Sequence, residues 1–414
     1  MVKRKLAKIW KKFGPGLITG ASDDDPSGIA TYTQAGSRFG TQLLWTAVIT
    51  YPLIVAIQEM CARIGLVTGK GLTGVIKEHY PRYILYVILT LSLPSIILNI
   101  GADIAAMGVV ANLLIPDVPA FLFSIIFTLF LIYAIINWNY RKIANALKYL
   151  CLVLLCYLII PFLIRTNWRI VIRDTFFPAF GNNPEFYLAL VGILGTTISP
   201  YLFFWQASME AEEVHQKHLV VDKRIISDME TDVSGGLLFT NLVFYFIVLT
   251  SATVLYNSGI RDVETVEQAA SALKPLAGNM AYLLFAIGVI GTGLLAIPVL
   301  AGSLSYMIAE IFNWKEGLDK EFSEARGFYI AMILSLATGL IIHFLDFSPI
   351  QALIYTAVLY GCCAPILIAL ILHICNNKTI MGHYCNTTIS NILALIALIL
   401  MTSAVIALLY ITLT

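Results

Sequence analysis

The sequence predicts an all-α protein that crosses a membrane many times, on three observations. Of its 414 residues 59% are hydrophobic and 12% charged, with a mean hydropathy of +0.83, far more apolar sequence than one soluble core needs. Read with a window of about 19 residues, the apolar sequence falls into eleven runs: about 15–35, 42–66, 83–110, 119–137, 147–165, 187–207, 233–256, 279–309, 328–345, 351–373 and 389–411. The third observation is charge segregation. With the amino terminus in the cytoplasm, Met1–Lys12 and the loops after runs 2, 4, 6, 8 and 10 hold 20 of the 26 basic residues. The other face keeps Arg38, Arg165, Arg169, Arg173, Arg261 and Lys274. That asymmetry puts the amino terminus inside and the carboxyl terminus outside, and the cell (plasma) membrane is the expected location.

One membrane domain, 1–414, is expected, because the polar segments between runs are short. Its parts are a cytoplasmic segment 1–13, a first repeat through helix 6 at 14–207, a cytoplasmic loop 208–232, helices 7–10 at 233–373 and a terminal helix 389–411. The start Met1-Val2-Lys3-Arg4-Lys5 is similar to a signal-peptide n-region. The apolar stretch after it carries acids and no evident cleavage site, so it reads as retained. A net charge of +1 offers nothing to nucleic acid. Seven cysteines, an odd number without CxxC spacing, read as small apolar residues rather than disulfides or ligands. The lipid bilayer is the expected surrounding, and a monomer the expected state.

In run 1, Ser22-Asp23-Asp24-Asp25-Pro26-Ser27-Gly28 interrupts an otherwise apolar stretch. A charged side chain at bilayer depth costs about 2.5–3.5 kcal/mol even on insertion scales, so it faces a polar cavity or a cation rather than lipid. Pro26 has no N–H and disfavours helical geometry at Asp25, and Gly28 is flexible, so the helix should break at the acids. Freed carbonyls beside a carboxylate make an oxygen-rich cation site.

Run 2 ends in Gln58-Glu59-Met60-Cys61-Ala62-Arg63, where Glu59 and Arg63 are spaced to pair on one helix face. Run 3 carries Pro94, Asn99 and Asp103. Asp103 is a mid-span carboxylate that fits either a pathway or a hydrogen-bonded packing role. Between runs 5 and 6, Arg165, Arg169 and Arg173 recur every four residues beside Trp168 and Phe176, the pattern of an interfacial amphipathic helix.

Run 6 contains Gly195-Thr196-Thr197-Ile198-Ser199-Pro200-Tyr201. Pro200 cannot bond the carbonyl four residues back, so that of Thr196 is expected to be free. Other prolines, Pro52, Pro94, Pro298 and Pro365, serve only to kink their helices. What raises the signal is position: runs 1 and 6 correspond if 1–5 and 6–10 form two inverted halves, and interrupted helices in matching positions point to a midplane transporter site.

After run 6, the polar stretch Ser208–Thr231 holds Glu210, Glu212, Glu213, His215 and His218. Without a further ligand pattern it reads as a solvated loop rather than a metal site. His343 and His373 read as packing or helix-end residues. The sequons at Asn377 and Asn386 fall on the side expected to be cytoplasmic and are discounted.

These residues carry a resemblance. Asp25-Pro26-Ser27-Gly28 in a broken first helix resembles the Asp-Pro-Gly-Asn pattern of NRAMP divalent-metal transporters. Gln58-Glu-Met-Cys-Ala-Arg-Ile-Gly-Leu-Val-Thr-Gly-Lys-Gly-Leu72, Asp232–Asn241 and the stretch from Leu276-Ala-Gly278 through Phe285-Ala-Ile-Gly288 agree with the same family. The resemblance implies a leucine-transporter-type fold: two inverted five-helix repeats plus an eleventh helix, with helices 1 and 6 broken. The family's manganese and iron carriers use the Asp and Asn of helix 1, with a carbonyl and a methionine sulfur from an Ala-x-x-Met-Pro-His stretch in helix 6. Here Asp25 keeps the acid, Gly28 replaces the Asn, Thr196 takes the Ala position, Ser199 replaces the Met and Tyr201 the His.

The soft ligand is therefore absent, and an all-oxygen site suits Mg²⁺, Ca²⁺ or Mn²⁺. Few protein ligands and more room suit Mg²⁺, which keeps several waters, better than Ca²⁺, which takes six to eight oxygens. The pattern is similar to the NRAMP-related magnesium transporters. It implies Mg²⁺ and Mn²⁺ as cargo rather than cofactor, with Asp25, the Thr196 carbonyl and Ser27 or Ser199 as direct or water-mediated ligands around Gly28. Asp23 and Asp24 would concentrate cations or order water.

In proton-coupled relatives, histidines in helix 6 and acids in helix 3 are implicated in the proton route. The corresponding positions here are Tyr201, Gln206, Asn99 and Ala102, none of which titrates near neutral pH. Transport without protons is the expectation, with Asp103 one residue from the expected position. The alternatives are a proton-coupled Mn²⁺/Fe²⁺ transporter and, from another class, an intramembrane hydrolase using Asp25 and Asp103 as acid and base.

Overall fold

The computed structural model describes residues 15–138, 152–181, 183–342 and 348–413, and among them every regular element is helical. The first run is broken as the sequence predicts. Helix α1 (Pro15–Asp23) stops, Asp24 and Asp25 are non-helical, and α2 (Pro26–Phe39) begins on the proline. Asp25 takes an extended backbone (ψ 170°) and caps α2 with its own side chain, so local chemistry alone makes the break.

Two apolar helices follow, α3 (Trp45–Thr68) and, after the short α4 (Leu72–His79), the long α5 (Arg82–Leu114). Gly69, in the left-handed region at φ 63°, ends α3. Next come α6 (Ala120–Asn137), α7 (Cys156–Leu163) and the surface helix α8 (Trp168–Phe176). The second break separates α9 (Pro184–Thr197) from α10 (Pro200–Lys217). The remainder is α11 (Lys223–Ser251), α12 (Val266–Ser271), α13 (Lys274–Ala277), α14 (Ala281–Phe312), α15 (Arg326–Ile342), α16 (Pro349–Asn376), α17 (Lys378–Met381) and α18 (Thr388–Leu413).

Among the described residues, eight helical stretches, counting 184–217 as one, are long and apolar enough to cross a membrane. With the shorter apolar helices Val153–Leu163 and Arg326–Ile341 and the interrupted first helix, they match the eleven expected runs. Small residues let the helices around the breaks approach closely. A Cβ on Gly20 of α1 would overlap the Gly236 carbonyl of α11, and one on Gly195 of α9 would overlap backbone of α16 at Ala357 and Gly361. The two broken helices are thus wedged between α11, α16, α3 and α5.

Three expectations are corrected. Residues 208–232 are not a loop: α10 runs on to Lys217 and α11 starts at Lys223, leaving five residues between them. Buried Ser208 and Glu210 belong to the packed part of α10, and His215 bonds the Gly69 carbonyl (2.8 Å). Arg63 does not pair with Glu59. Its guanidinium reaches Glu230 of α11 (3.4 Å) and Asn386 (3.2 Å), because it points between helices rather than along its own. The third correction, at Thr196, is given with the site below.

Helix α8 exposes Ile172 and Phe176, while its Arg173 pairs with Asp174, as an interfacial helix would. The six described cysteines are free thiols, and His373 takes a hydrogen bond with Tyr80 near the end of α16. Cys151, His343, the segment 1–13 and the first part of the 147–165 run lie outside the described residues.

Candidate metal site

The three consecutive acids at the first break fan out toward three different neighbours. Asp23 faces the start of α10, Asp24 faces α11, and Asp25 faces α5. None is more than 2% exposed. This follows from the backbone: Asp23 closes one helix, Asp25 opens the next, and the bend between them turns each side chain differently.

Both oxygens of Asp25 are engaged. Oδ1 accepts from the Gly28 amide at 2.6 Å, and Oδ2 accepts from Asn99 Nδ2 at 2.9 Å. The same nitrogen lies 3.4 Å from Asp103 Oδ2. Thr356 Oγ1 of α16 lies 3.0 Å from Asn99 Oδ1 and 2.7 Å from the Leu353 carbonyl, the two acceptors sharing its one hydrogen, and the acids themselves draw the amide hydrogens toward them. Asp103 is fully buried, and among the described residues its Oδ1 has no hydrogen-bond partner. A carboxylate oxygen carries two lone pairs. An ion at Asp25 therefore meets one remaining lone pair per oxygen.

At the second break, Ile198 and Ser199 are non-helical and Pro200 starts α10. The Thr196 carbonyl, expected to be free, accepts from Ser199 Oγ at 2.6 Å. Ser199 caps the carbonyl that the proline released, leaving one lone pair for an ion. Ser199 Oγ also lies 3.4 Å from Asp23 Oδ1. Asp23 is thus the acid that Ser199 meets.

Ser27 is directed elsewhere, donating to the Leu353 carbonyl of α16 at 3.0 Å, beside Thr356. Gly28 contributes its amide to Asp25 rather than a ligand. Tyr201 donates to the Ser22 carbonyl (3.2 Å), and the Tyr32 hydroxyl meets Thr197 Oγ1 (3.1 Å), so two phenols strap the breaks together. Gln206 is not in this cluster: it accepts from Thr19 (2.5 Å) and donates to Glu210 (3.0 Å) further along α10.

The sequence reading missed Thr356, Thr240 and Glu210. The two threonines carry no pattern that sets them apart from other hydroxyls in apolar helices, and Glu210 was hidden by reading 208–232 as a loop. Among the described residues no lysine or arginine pairs with Asp23, Asp24, Asp25 or Asp103. Nor, among them, do three or more His, Cys, Asp or Glu side chains form a metal cage. What the arrangement offers a cation is one oriented carboxylate, other acids close by, neutral oxygens and no soft ligand.

The family described as Natural resistance-associated macrophage protein-like, Nramp, matches residues 16–411. The chain belongs to this family. NRAMP relatives include the "Divalent metal cation transporter MntH" of Caldanaerobacter subterraneus subsp. tengcongensis, 23% identical over 95% of this chain and 91% of that one. Among solved structures, a manganese transporter of Eremococcus coleocola superposes with a TM-score of 0.74 at 19% identity, over 97% of this chain and 87% of that chain. The amino-acid-bound transporter MhsT superposes with a TM-score of 0.64 at 13% identity, over 96% and 97%. The fold is therefore the leucine-transporter type, with helices 1 and 6 broken. The hydrolase alternative loses ground, because the Asn99 amide stands between Asp25 and Asp103 where a catalytic pair would share a proton or a water.

Proposed function

We propose that this chain carries divalent cations across the membrane, Mg²⁺ and also Mn²⁺, as partly hydrated ions, by alternating access and without protons. One observation carries the reading. Asp25 is the charged ligand, both of its oxygens already accept a hydrogen bond, and the neighbouring ligands at the second break are the Thr196 carbonyl and Ser199 hydroxyl with no thioether. A hard ion that keeps several waters and takes one or two carboxylates is matched to such a site. Ca²⁺, which takes six to eight oxygens, is not.

In this reading Asp25, Ser199 and the Thr196 carbonyl contact the ion directly or through water. Gly28 holds Asp25 in place, Ser27 anchors the site to α16, and Tyr201 closes it. Gln206 and Glu210 lie on the route to the cytoplasm, into which the amino terminus projects. The transporter works as one domain and as a monomer. The printed names of its relatives, a divalent metal cation transporter and a manganese transporter, support the cargo class.

A second reading, proton-coupled uptake of Mn²⁺ or Fe²⁺, draws on the contact that joins Asp103 to Asp25 through Asn99. It supplies a titratable group close to the ligand in helix 3.

Proteoliposomes holding purified wild type or Asp25→Ala separate the readings, with Mg²⁺, Mn²⁺ and Ca²⁺ offered outside and a pH dye inside. Mg²⁺ uptake that the substitution abolishes and that brings no acidification is expected. Mn²⁺ uptake with acidification and no Mg²⁺ flux would replace the first reading by the second.

A further inference from the structure

Arg165, Arg169 and Arg173, half of the six basic residues on the face that otherwise excludes them, fall within nine positions. Against the segregation of charge elsewhere in the chain, that concentration calls for a local use of positive charge. The stretch is built as a surface. Asn167 caps α8 by accepting from the Ile170 amide, and the inward side of the helix is fixed by Val171, Asp174 and Thr175, all buried. Asp174 Oδ2 accepts from Thr41 Oγ1 at 2.5 Å, in the turn Gly40–Leu43 that joins α2 to α3. Thr175 Oγ1 lies 2.9 Å from the Tyr245 hydroxyl of α11.

The other faces are open. Trp168, Ile172 and Phe176 recur four apart as an exposed apolar stripe, and Arg169 and Arg173, each one residue on, lie about 100° further round the helix. The stripe does not stand alone. Phe162, in the apolar helix α7, meets Trp168 with ring centroids 4.8 Å apart, and Phe162 and Leu163 are more than half exposed. The apolar surface of a membrane run thus continues onto α8, so the medium that covers the one covers the other, and aromatic rings are favoured at that depth. The cations select the headgroup. Arg173 is already held by Asp174, its Nε and Nη2 both 2.8 Å from Oδ1. Arg165 and Arg169 are exposed, and among the described residues neither pairs with a carboxylate. A guanidinium matches phosphate oxygens in a fork. A zwitterionic lipid brings an ammonium of its own, whereas an anionic lipid leaves its negative charge for the arginines.

We propose that α8, with Arg165 ahead of it, is a docking surface for anionic phospholipid. The Trp168, Ile172 and Phe176 stripe lies among the upper acyl chains, and Arg165 and Arg169 take the headgroup phosphates. The inference goes beyond the cargo reading and does not depend on it. Through Asp174 and Thr41 the same surface fastens the end of α2, the second half of the first broken helix, to the lipid.

The test places the full chain in nanodiscs of one fixed phosphatidylcholine and phosphatidylglycerol mixture, in which either one lipid or the other carries brominated chains. Fluorescence quenching is read for Trp168, isolated in each background as the difference from Trp168→Phe. In wild type, brominated phosphatidylglycerol is expected to quench Trp168 about threefold more per labelled lipid than brominated phosphatidylcholine. High salt should erase the difference, and so should the double variant Arg165→Gln, Arg169→Gln. The pair Arg165→Lys, Arg169→Lys should keep it, which shows that the glutamine pair lost charge and not fold. Equal quenching by the two lipids in wild type overturns the proposal, as does a preference that survives in the glutamine pair or vanishes in the lysine pair. Quenching by neither lipid places Trp168 outside the bilayer and overturns it too. A preference abolished by inorganic phosphate, but not by chloride at the same ionic strength, would make this a site for free phosphate instead. No outcome involves metal uptake, so the transport reading stands or falls separately.

Discussion

Asn99 Nδ2 lies 2.9 Å from Asp25 Oδ2, and the same nitrogen lies 3.4 Å from Asp103 Oδ2. One neutral amide from the third apolar run thus holds the carboxylate proposed as the ligand in the first and separates it from another acid. It takes up one of the two lone pairs of Asp25 Oδ2.

Asn99→Ala should relax the choice of ion. A hydrogen bond to a charged group is worth about 1.5–3 kcal/mol, so freeing Asp25 Oδ2 is expected to improve Ca²⁺ competition against Mn²⁺ tenfold or more. Maximal uptake should fall, because an ion held by two oxygens leaves slowly. Proteoliposome competition assays measure both, and an unchanged Ca²⁺ preference would mean that the amide does not tune the site.

Ser199→Met restores a thioether at the second break. Soft and borderline metals gain from sulfur and Mg²⁺ does not. Cd²⁺ affinity should rise about tenfold or more and Mg²⁺ uptake fall, also because the Thr196 carbonyl loses the hydroxyl that bonds it at 2.6 Å. Calorimetric titration with Cd²⁺ and flux measurements with Mg²⁺ give the comparison.

Gly20→Ala puts a methyl into the Gly236 carbonyl, where α1 and α11 pass with backbones in contact. The expected result is an α1 that cannot seat, with loss of the Gly16 amide bond to Asp232 (2.8 Å) and the Thr19–Gln206 bond (2.5 Å). Thiol labelling of a Thr19→Cys reporter should become several-fold faster in the Gly20→Ala background. Equal labelling rates would show that close approach at Gly20 is not what keeps this end of the protein shut.

Lys77 and Glu310 cap each other's helices. Glu310 Oε2 accepts from the Gly74 amide at the start of α4 (2.9 Å), while Lys77 Nζ donates to the Glu310 and Ile311 carbonyls at the end of α14 (3.1 and 2.8 Å). Each contact opposes a helix dipole with the right sign of charge, worth about 0.3–2 kcal/mol. Lys77→Met and Glu310→Gln should each lower the melting temperature of the purified protein. The double variant should lose less than the sum of the two, since either loss loosens the same joint. Strict additivity would argue against a shared joint.

Both breaks were legible in the sequence because they are local events. Asp25 before Pro26 combines a capping side chain with a residue that cannot donate, Pro200 likewise has no N–H to give the preceding turn, and neither needs a distant partner to end a helix. The partners of the site were less legible. Thr356 lies 257 positions from the Asn99 it meets, and Thr240 lies 216 positions from Asp24. The Thr196 carbonyl was misjudged for a different reason. Pro200 does deprive it of a backbone donor, but a serine rotamer three residues away replaces that donor.

The number of membrane-crossing runs, the class of the protein and the two interruptions came from hydropathy and proline chemistry, because apolar length and a missing N–H act within a few residues. Which way each of the three acids points was decided only by the packing of α5, α10 and α11 around the bend. A side chain's direction at a helix break depends on which distant helix supplies a donor or a lone pair, and no spacing along the chain encodes that.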